Sequence, residues 1–133
     1  MANPYMAITL GIVVRVKPTY LESHSSPETS QYIWAYRVMI ENQGQETVQL
    51  LSRHWMITNA RGELTEVKGL GVVGEQPFLK PGESFTYTSA APLNTPSGMM
   101  GGAYTMESES GERFDIEIPT FSLDSPFSKG FTN

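Results

Sequence analysis

The chain lacks cysteine altogether, and it has only two histidines, His24 in a Ser-rich stretch and His54 in an apolar one. Without cysteine it can form neither a disulfide nor a thiolate metal site, which is typical of a cytoplasmic protein. A catalytic zinc site commonly takes three protein ligands, most often histidine. We therefore expect no metal, no cofactor and a cytoplasmic location.

Basic residues and long apolar runs are scarce as well. The chain has 9 Lys and Arg against 14 Asp and Glu, which gives a net charge of −5. A surface that binds duplex nucleic acid must neutralise several phosphates at once, so this balance argues against a nucleic-acid partner. No run of 18 apolar residues occurs, and no basic start precedes an apolar stretch. The sequence therefore predicts neither a membrane span nor a secretory signal.

Apolar and polar residues alternate along much of the chain. No window places apolar residues at helical spacing, whereas several short segments alternate with period two between Gly- and Pro-rich turns. This pattern predicts an all-β antiparallel sandwich of about seven or eight strands. A chain of 133 residues suits a single domain. We expect that domain to span 6–123, after a flexible N-terminus at 1–5 and before a mobile tail at 124–133.

The individual strands follow from the same pattern. The alternation from Met6 to Lys17 predicts one strand that buries Ile8 and Leu10 and is ended by Pro18. Residues 94–102 are predicted to form a loop because they are rich in Gly, Pro and polar residues. Further strands are predicted at 32–42, 47–58, 63–68, 84–89, 103–108 and 113–121.

Gly69, Gly71 and Gly74 have the spacing G-x-G-x-x-G of dinucleotide-binding proteins. In those proteins the glycines open a helix whose N-terminus faces the pyrophosphate, and an acidic residue about 20 positions on binds the ribose. Here two prolines and a glycine follow within eight residues of Gly74 and leave no room for a helix. No acid stands at the ribose position, so a dinucleotide site is not expected.

Two other interpretations of this loop stay open. The glycines can supply positive φ or a bulge between strands. Alternatively, successive backbone N–H groups of a Gly-rich turn can form a concave nest for an anion, here flanked by Lys68 and Lys80. The second interpretation would make the protein a small-anion or nucleotide sensor, with at most weak binding of phosphate or pyrophosphate at Gly69–Gly74.

Groups with a catalytic arrangement are missing. The pair Asp115 and Glu117 lies on one face of a predicted strand, opposite apolar residues, as in an ordinary solvated face. No G-x-S-x-G motif occurs. We interpret His54 as a hydrogen-bonded strand residue, with Arg53 on the opposite face beside Trp55. Consequently, we expect no catalytic residues and no enzymatic activity.

Several long stretches, from about Ile8 to Leu123, closely resemble the bacterial ApaG family. The most specific are SRHW at 52–55, GVVGEQP at 71–77 and TPSG at 95–98. The resemblance implies an immunoglobulin- or fibronectin type III-like sandwich. Related domains in eukaryotic F-box proteins and in a DNA polymerase delta-interacting protein imply a protein-interaction module. The family's association with diadenosine tetraphosphate metabolism and with magnesium and cobalt efflux keeps the nucleotide alternative open.

We therefore predict a non-catalytic module that binds another protein through its Gly-rich loop. The sensor of small anions or nucleotides is the alternative. The candidate residues of the loop are Gly69, Gly71, Val72, Val73, Gly74, Glu75 and Gln76, and those of the flanking surface are Arg53, His54 and Lys68.

Overall fold

The computed structural model describes residues 5–127, and in this range nine strands form two antiparallel sheets. Two three-residue 3-10 turns, Glu22–His24 and Pro27–Thr29, connect the second strand to the third. The strands are β1 (Tyr5–Thr9), β2 (Ile12–Tyr20), β3 (Tyr32–Asn42), β4 (Val48–Asn59), β5 (Leu64–Leu70), β6 (Phe78–Leu79), β7 (Ser84–Leu93), β8 (Ser97–Ser108) and β9 (Arg113–Asp124).

The two sheets pack face to face as a sandwich, which confirms the predicted fold class. One sheet has the strand order β1-β2-β3-β7, and the other has the order β5-β4-β8-β9, with the short β6 also paired to β4. Every pairing is antiparallel. The inner faces bury both tryptophans and most of the large aliphatic side chains in one core.

The single strand predicted from Met6 to Lys17 is wrong, because the chain turns back at Leu10 and Gly11 to form the β1–β2 hairpin. Both turn residues have positive φ, 49° and 82°, as in the primed two-residue turns that join antiparallel strands. Thr9 pairs with Ile12, so even positions of β2 share a face with odd positions of β1. Ile8 and Leu10 are consequently 58% and 73% exposed rather than buried.

Pro18 does not end β2, which continues to Tyr20. β1 pairs with β2 only as far as Val16, and beyond that point β2 is an edge strand. Proline is tolerated at an edge because its missing N–H interrupts no ladder there.

Residues 97–102 are the start of β8, not part of a loop as predicted. The glycines lie in this strand because neighbouring backbone comes very close. A Cβ on Gly98 would lie 2.5 Å from the Thr58 carbonyl oxygen, and one on Gly102 would lie 2.0 Å from that of His54. Glycine within a strand commonly marks such an approach, so its abundance here reflects packing and not a loop.

β3 and β4 supply the centre of the core. β3 has the predicted bounds, and its even-numbered side chains are buried. A bulge at Leu51 interrupts the register of β4 with β8 and changes which positions face inward. Leu50 therefore shares the inner face with Arg53 and Trp55, although a regular strand would place it on the opposite face. This shift brings Arg53 into the space between the sheets.

Each end of the described range makes one aromatic ring contact with the rest of the domain. Tyr5 begins β1, and its ring lies 5.8 Å from that of Phe121. Asp124 ends β9, and the Phe127 ring lies 6.3 Å from that of Tyr32. The rest of the predicted N-terminal segment and tail, 1–4 and 128–133, lies outside the described residues.

Candidate functional site

The Gly-rich loop is a tight hairpin turn. Val72 and Glu75 exchange two backbone hydrogen bonds, of 2.8 and 2.9 Å, and the two residues between them, Val73 and Gly74, have φ of 43° and 80°. Gly71 also has positive φ, 63°, and a Cβ at this position would lie 2.3 Å from the Glu75 carbonyl oxygen. Gly71 and Gly74 therefore serve the backbone conformation of the turn, as the first interpretation of the motif holds.

The backbone of this turn has few amide groups left for an anion. The N–H groups of Val72 and Glu75 bond each other's carbonyls, and the N–H of Gly71 donates to the Leu51 carbonyl at 2.9 Å. The chain then runs into the strand β6 and not into a helix. A phosphate nest needs free, convergent N–H groups, so this geometry weakens the anion-sensor alternative at Gly69–Gly74.

The Arg53 side chain stabilises the turn through hydrogen bonds to its backbone. Its Nη1 donates to the carbonyl oxygens of Leu70 and Gly71, both at 2.9 Å. The guanidinium lies directly over Gly69, where a Cβ would come within 2.8 Å of both terminal nitrogens. The first glycine of the motif thus makes room for the arginine, and the arginine fixes the end of β5.

Exposure divides the predicted loop residues into two groups. Val73 is 55% exposed, whereas Val72 is 1% exposed and belongs to the core. Gln76 holds the turn in place through a 2.8 Å bond from Nε2 to the Leu51 carbonyl. Val72, which the sequence groups with the binding residues, is therefore an anchor that no partner can reach.

Two exposed apolar side chains beside the turn are missed by the sequence interpretation. Leu70 is 78% exposed at the end of β5, and Phe78 is 67% exposed at the start of β6. Both stand in stretches of mixed polarity, where alternation alone does not tell an outward apolar residue from an inward one. With Val73 they make three exposed apolar side chains within residues 70–78, which we call the turn surface.

The flanking residues lie on two different faces of the second sheet. His54 points outward, and its Nε2 lies 2.7 Å from Glu66 Oε1, which makes it the hydrogen-bonded strand residue that we predicted. Lys68 is paired with His54 across β4 and β5 and is exposed. Trp55 is 2% exposed and cannot be presented to a partner, and its indole Nε1 has no hydrogen-bond partner among the described residues.

A cavity of about 310 Å³ opens between the sheets beneath the turn. Its polar groups come from Arg53 on one sheet and from Tyr36, Tyr87 and Ser89 on the other. We call it the Arg53 pocket. It is lined by Tyr36, Arg53, Trp55, Leu70, Val72, Val73, Gly74, Tyr87 and Ser89.

The tyrosine hydroxyls of the pocket form a buried group. Burial raises the pKa of Tyr36, while a hydrogen bond with Ser89 and the charge of Arg53 act in the opposite direction. Burial likewise raises the pKa of Tyr87 and that of Tyr104, whose hydroxyls are hydrogen-bonded to each other. These hydroxyls stay protonated near neutral pH and can donate hydrogen bonds.

Residues 5–127 contain neither a candidate metal site nor a candidate membrane-spanning helix. No three His, Cys, Asp or Glu side chains in this range come together where they could hold a metal ion. Nor does this range contain a helix long and apolar enough to cross a membrane.

Comparisons with known proteins agree on one family. The sequence model of the ApaG domain matches residues 22–108. The Protein ApaG of Paramagnetospirillum magneticum is 59% identical over 125 residues, covering 94% of this chain and 96% of that protein. The Protein ApaG of Bradyrhizobium diazoefficiens is 57% identical over 129 residues, covering 97% and 99%. A crystal structure of an ApaA protein from Bordetella pertussis, 44% identical, has a TM-score of 0.85 and covers 95% of this chain and 98% of that one.

Proposed function

This chain belongs to the ApaG domain family, and from that premise and the geometry of the turn we propose that it is a non-catalytic module that binds another protein through the turn surface. The observation that carries the proposal is the conformation of Val73. A β-branched residue with φ of 43° is a genuine outlier, and burial does not compensate it because the side chain is 55% exposed.

Strain of this kind costs about 1–3 kcal/mol and persists only where the surrounding structure enforces it. Glycine would fit the same turn without that cost. An exposed valine in a strained position therefore fits a contact with something outside the chain. Leu10 shares the strain and the exposure, but the turn at Val73 is in addition fixed by side-chain hydrogen bonds. Leu70 and Phe78, exposed on either side of the turn, extend the surface that such a contact would cover.

The turn is also rigid, which favours binding because little conformational entropy is lost on association. Arg53 fixes one side of it through two carbonyls. Gln76 and Gln49 fix the other side, since Gln76 donates to the Leu51 carbonyl and Gln49 donates to that of Gln76. Rigid scaffolds commonly carry function on loops of this kind. We place the function in the cytoplasm on the cysteine-free composition.

The test replaces Val73 by glycine. Val73→Gly relieves the positive-φ strain, so we expect it to raise the free energy of unfolding by about 1 kcal/mol. It also removes an exposed apolar contact, so quantitative affinity capture from lysate should recover much less of the specific partner than the wild type does. Urea denaturation and mass spectrometry of the captured proteins measure the two effects.

Leu10→Gly is the matched control. Leu10 also has positive φ, 49°, in a two-residue turn and is 73% exposed, but it belongs to the β1–β2 hairpin. This variant should gain stability in the same way and keep the partner. The proposal fails if the wild type captures nothing specific, or if Val73→Gly and Leu10→Gly capture the partner equally well.

A further inference from the structure

No carboxylate among residues 5–127 pairs with the charge of Arg53. The described residues form three Arg–Glu ion pairs, which join Arg15 to Glu41, Arg61 to Glu63 and Arg113 to Glu107. Arg53 is in none of them, and no carboxylate is among the residues that line its pocket. A partly buried arginine is usually paired, so an isolated one in an acidic protein needs an explanation.

Only one of the three guanidinium nitrogens of Arg53 donates hydrogen bonds within residues 5–127. Both of its hydrogen bonds come from Nη1, to the carbonyls of Leu70 and Gly71. Within residues 5–127, Nε and Nη2 have no acceptor. A guanidinium presents its N–H groups as a planar fork that fits the two oxygens of a carboxylate.

The opposite wall adds donors that suit the same ligand. The Tyr36, Tyr87 and Ser89 side chains bring hydroxyl groups to the pocket that Arg53 also lines. Burial raises the pKa values of Tyr36 and Tyr87, so these two hydroxyls are neutral. A monoanion bound here would face one cation and several neutral donors. One guanidinium matches one carboxylate in charge, whereas a doubly charged phosphate would leave one charge without a partner.

We propose that the Arg53 pocket receives a carboxylate presented by the partner protein, from an acidic side chain or from a chain terminus. This inference rests on the proposed function and names the chemistry of the partner. The pocket volume of about 310 Å³ stands at the lower end of the ~300–1,000 Å³ range of small-ligand pockets, which suits one side chain better than a nucleotide. The turn surface lies beside it, so one partner segment can cover Val73 and insert its carboxylate below.

Titration of the isotopically labelled full chain tests the pocket without any partner. Two carboxylate probes are used, N-acetylglutamate α-amide for a side chain and N-acetylglycylglycine for a chain terminus, each beside its uncharged amide counterpart. We expect at least one carboxylate to bind saturably in the millimolar range and to shift the Arg53 Nε–H and Trp55 Nε1–H signals. The amide counterparts should shift neither signal.

Two variants and one control locate the binding. Arg53→Gln should weaken carboxylate binding by about tenfold or more, since it removes a charge-assisted hydrogen bond. Gly69→Ala keeps the charge but puts a methyl group where the guanidinium lies, so it should weaken binding while the backbone stays unstrained. Arg37→Gln removes the same charge from an exposed position of β3 and should change the affinity by less than about twofold.

Several results would overturn the proposal. These are equal shifts with the amide counterparts, no saturation with either carboxylate, equal affinities of Arg53→Gln and Arg37→Gln, or inorganic phosphate binding more tightly than both carboxylates. Gly69→Ala keeps the test decisive if Arg53→Gln fails to fold. The titration uses no partner protein, so its outcome is independent of the capture experiment. If the titration fails but the capture succeeds, the carboxylate pocket is wrong and the turn surface remains the binding site. If the capture fails but the titration succeeds, only the proposed protein-binding function is wrong.

Discussion

Asn42 is a buried amide that ties three segments of the chain together, and its replacement should show how much this end of the sandwich depends on it. The residue is 0% exposed. Its Nδ2 donates to the carbonyls of Glu46 and Leu79 at 2.8 and 2.9 Å, and its Oδ1 accepts from the Gly44 N–H at 2.8 Å. The side chain therefore connects the β3–β4 loop to β6.

The expected losses follow from these three bonds. Asn42→Ala removes all of them, and at about 1 kcal/mol each it should lower the free energy of unfolding by about 3 kcal/mol at any pH. Asn42→Asp keeps the acceptor for Gly44 but turns an oxygen toward two carbonyls. The buried carboxyl is disfavoured when charged, so its pKa in the folded state should rise above the ordinary value of about 3.9.

The sign of the pH dependence is fixed by that shift. The fold of Asn42→Asp is most stable below pH ~3.9, where the introduced carboxyl is protonated in both the folded and the unfolded state. This stability is lost as the pH rises through the folded pKa, because the buried carboxyl must then ionise or the chain unfold. Urea unfolding of both variants and the wild type at pH 4 and pH 8 measures it. Asn42→Asp should be closer to wild type at pH 4 and should lose more than Asn42→Ala at pH 8. A difference from wild type that is the same at both pH values, or below about 1 kcal/mol at pH 8, would refute the reasoning.

Two further predictions concern the core. Trp34 is 1% exposed and packs edge-on against Tyr20 at 5.3 Å, so Trp34→Ala should cost about 3–5 kcal/mol in chemical denaturation; a negligible loss would contradict its place in the core. The pKa values of Tyr36, Tyr87 and Tyr104 are raised, so the folded state keeps three protons that the unfolded state releases near pH 10. The free energy of unfolding should therefore fall above pH ~10, by up to about 4 kcal/mol per pH unit. Tyrosinate absorbance at 295 nm from these three residues should then appear together with the loss of the far-ultraviolet β signal, and full ionisation of the folded protein would count against the buried cluster.

Strand β3 shows how much of a sheet the sequence can predict. Its bounds at 32–42 and its buried even positions match the alternation, because period two directly encodes a strand with one apolar face. Polar and Gly-rich segments on both sides mark its ends. The class of the fold follows from several such segments without any tertiary information.

Alternation does not predict correctly whether the odd or the even positions of a strand face the core. The turn at Leu10 and Gly11 reverses the inward set between β1 and β2, and the bulge at Leu51 reverses it within β4. Both features need only one or two residues, and the apolar pattern runs through them with little interruption. A one-residue change of register moves every following side chain to the other face, so the sequence could not tell that Ile8 is exposed or that Leu50 and Arg53 share a face.

The sequence by itself determined the all-β class and the presence of a glycine-dependent turn at 69–74, because both are local properties of the chain: alternation sets the strand, and positive φ requires glycine or a strained substitute. The Arg53 pocket was decided only by the tertiary structure. Its hydroxyls come from β3 and β7 and its cation from β4, strands that belong to different sheets. Alternation indicates which side chains point inward, but the packing of one sheet on the other determines which of them meet.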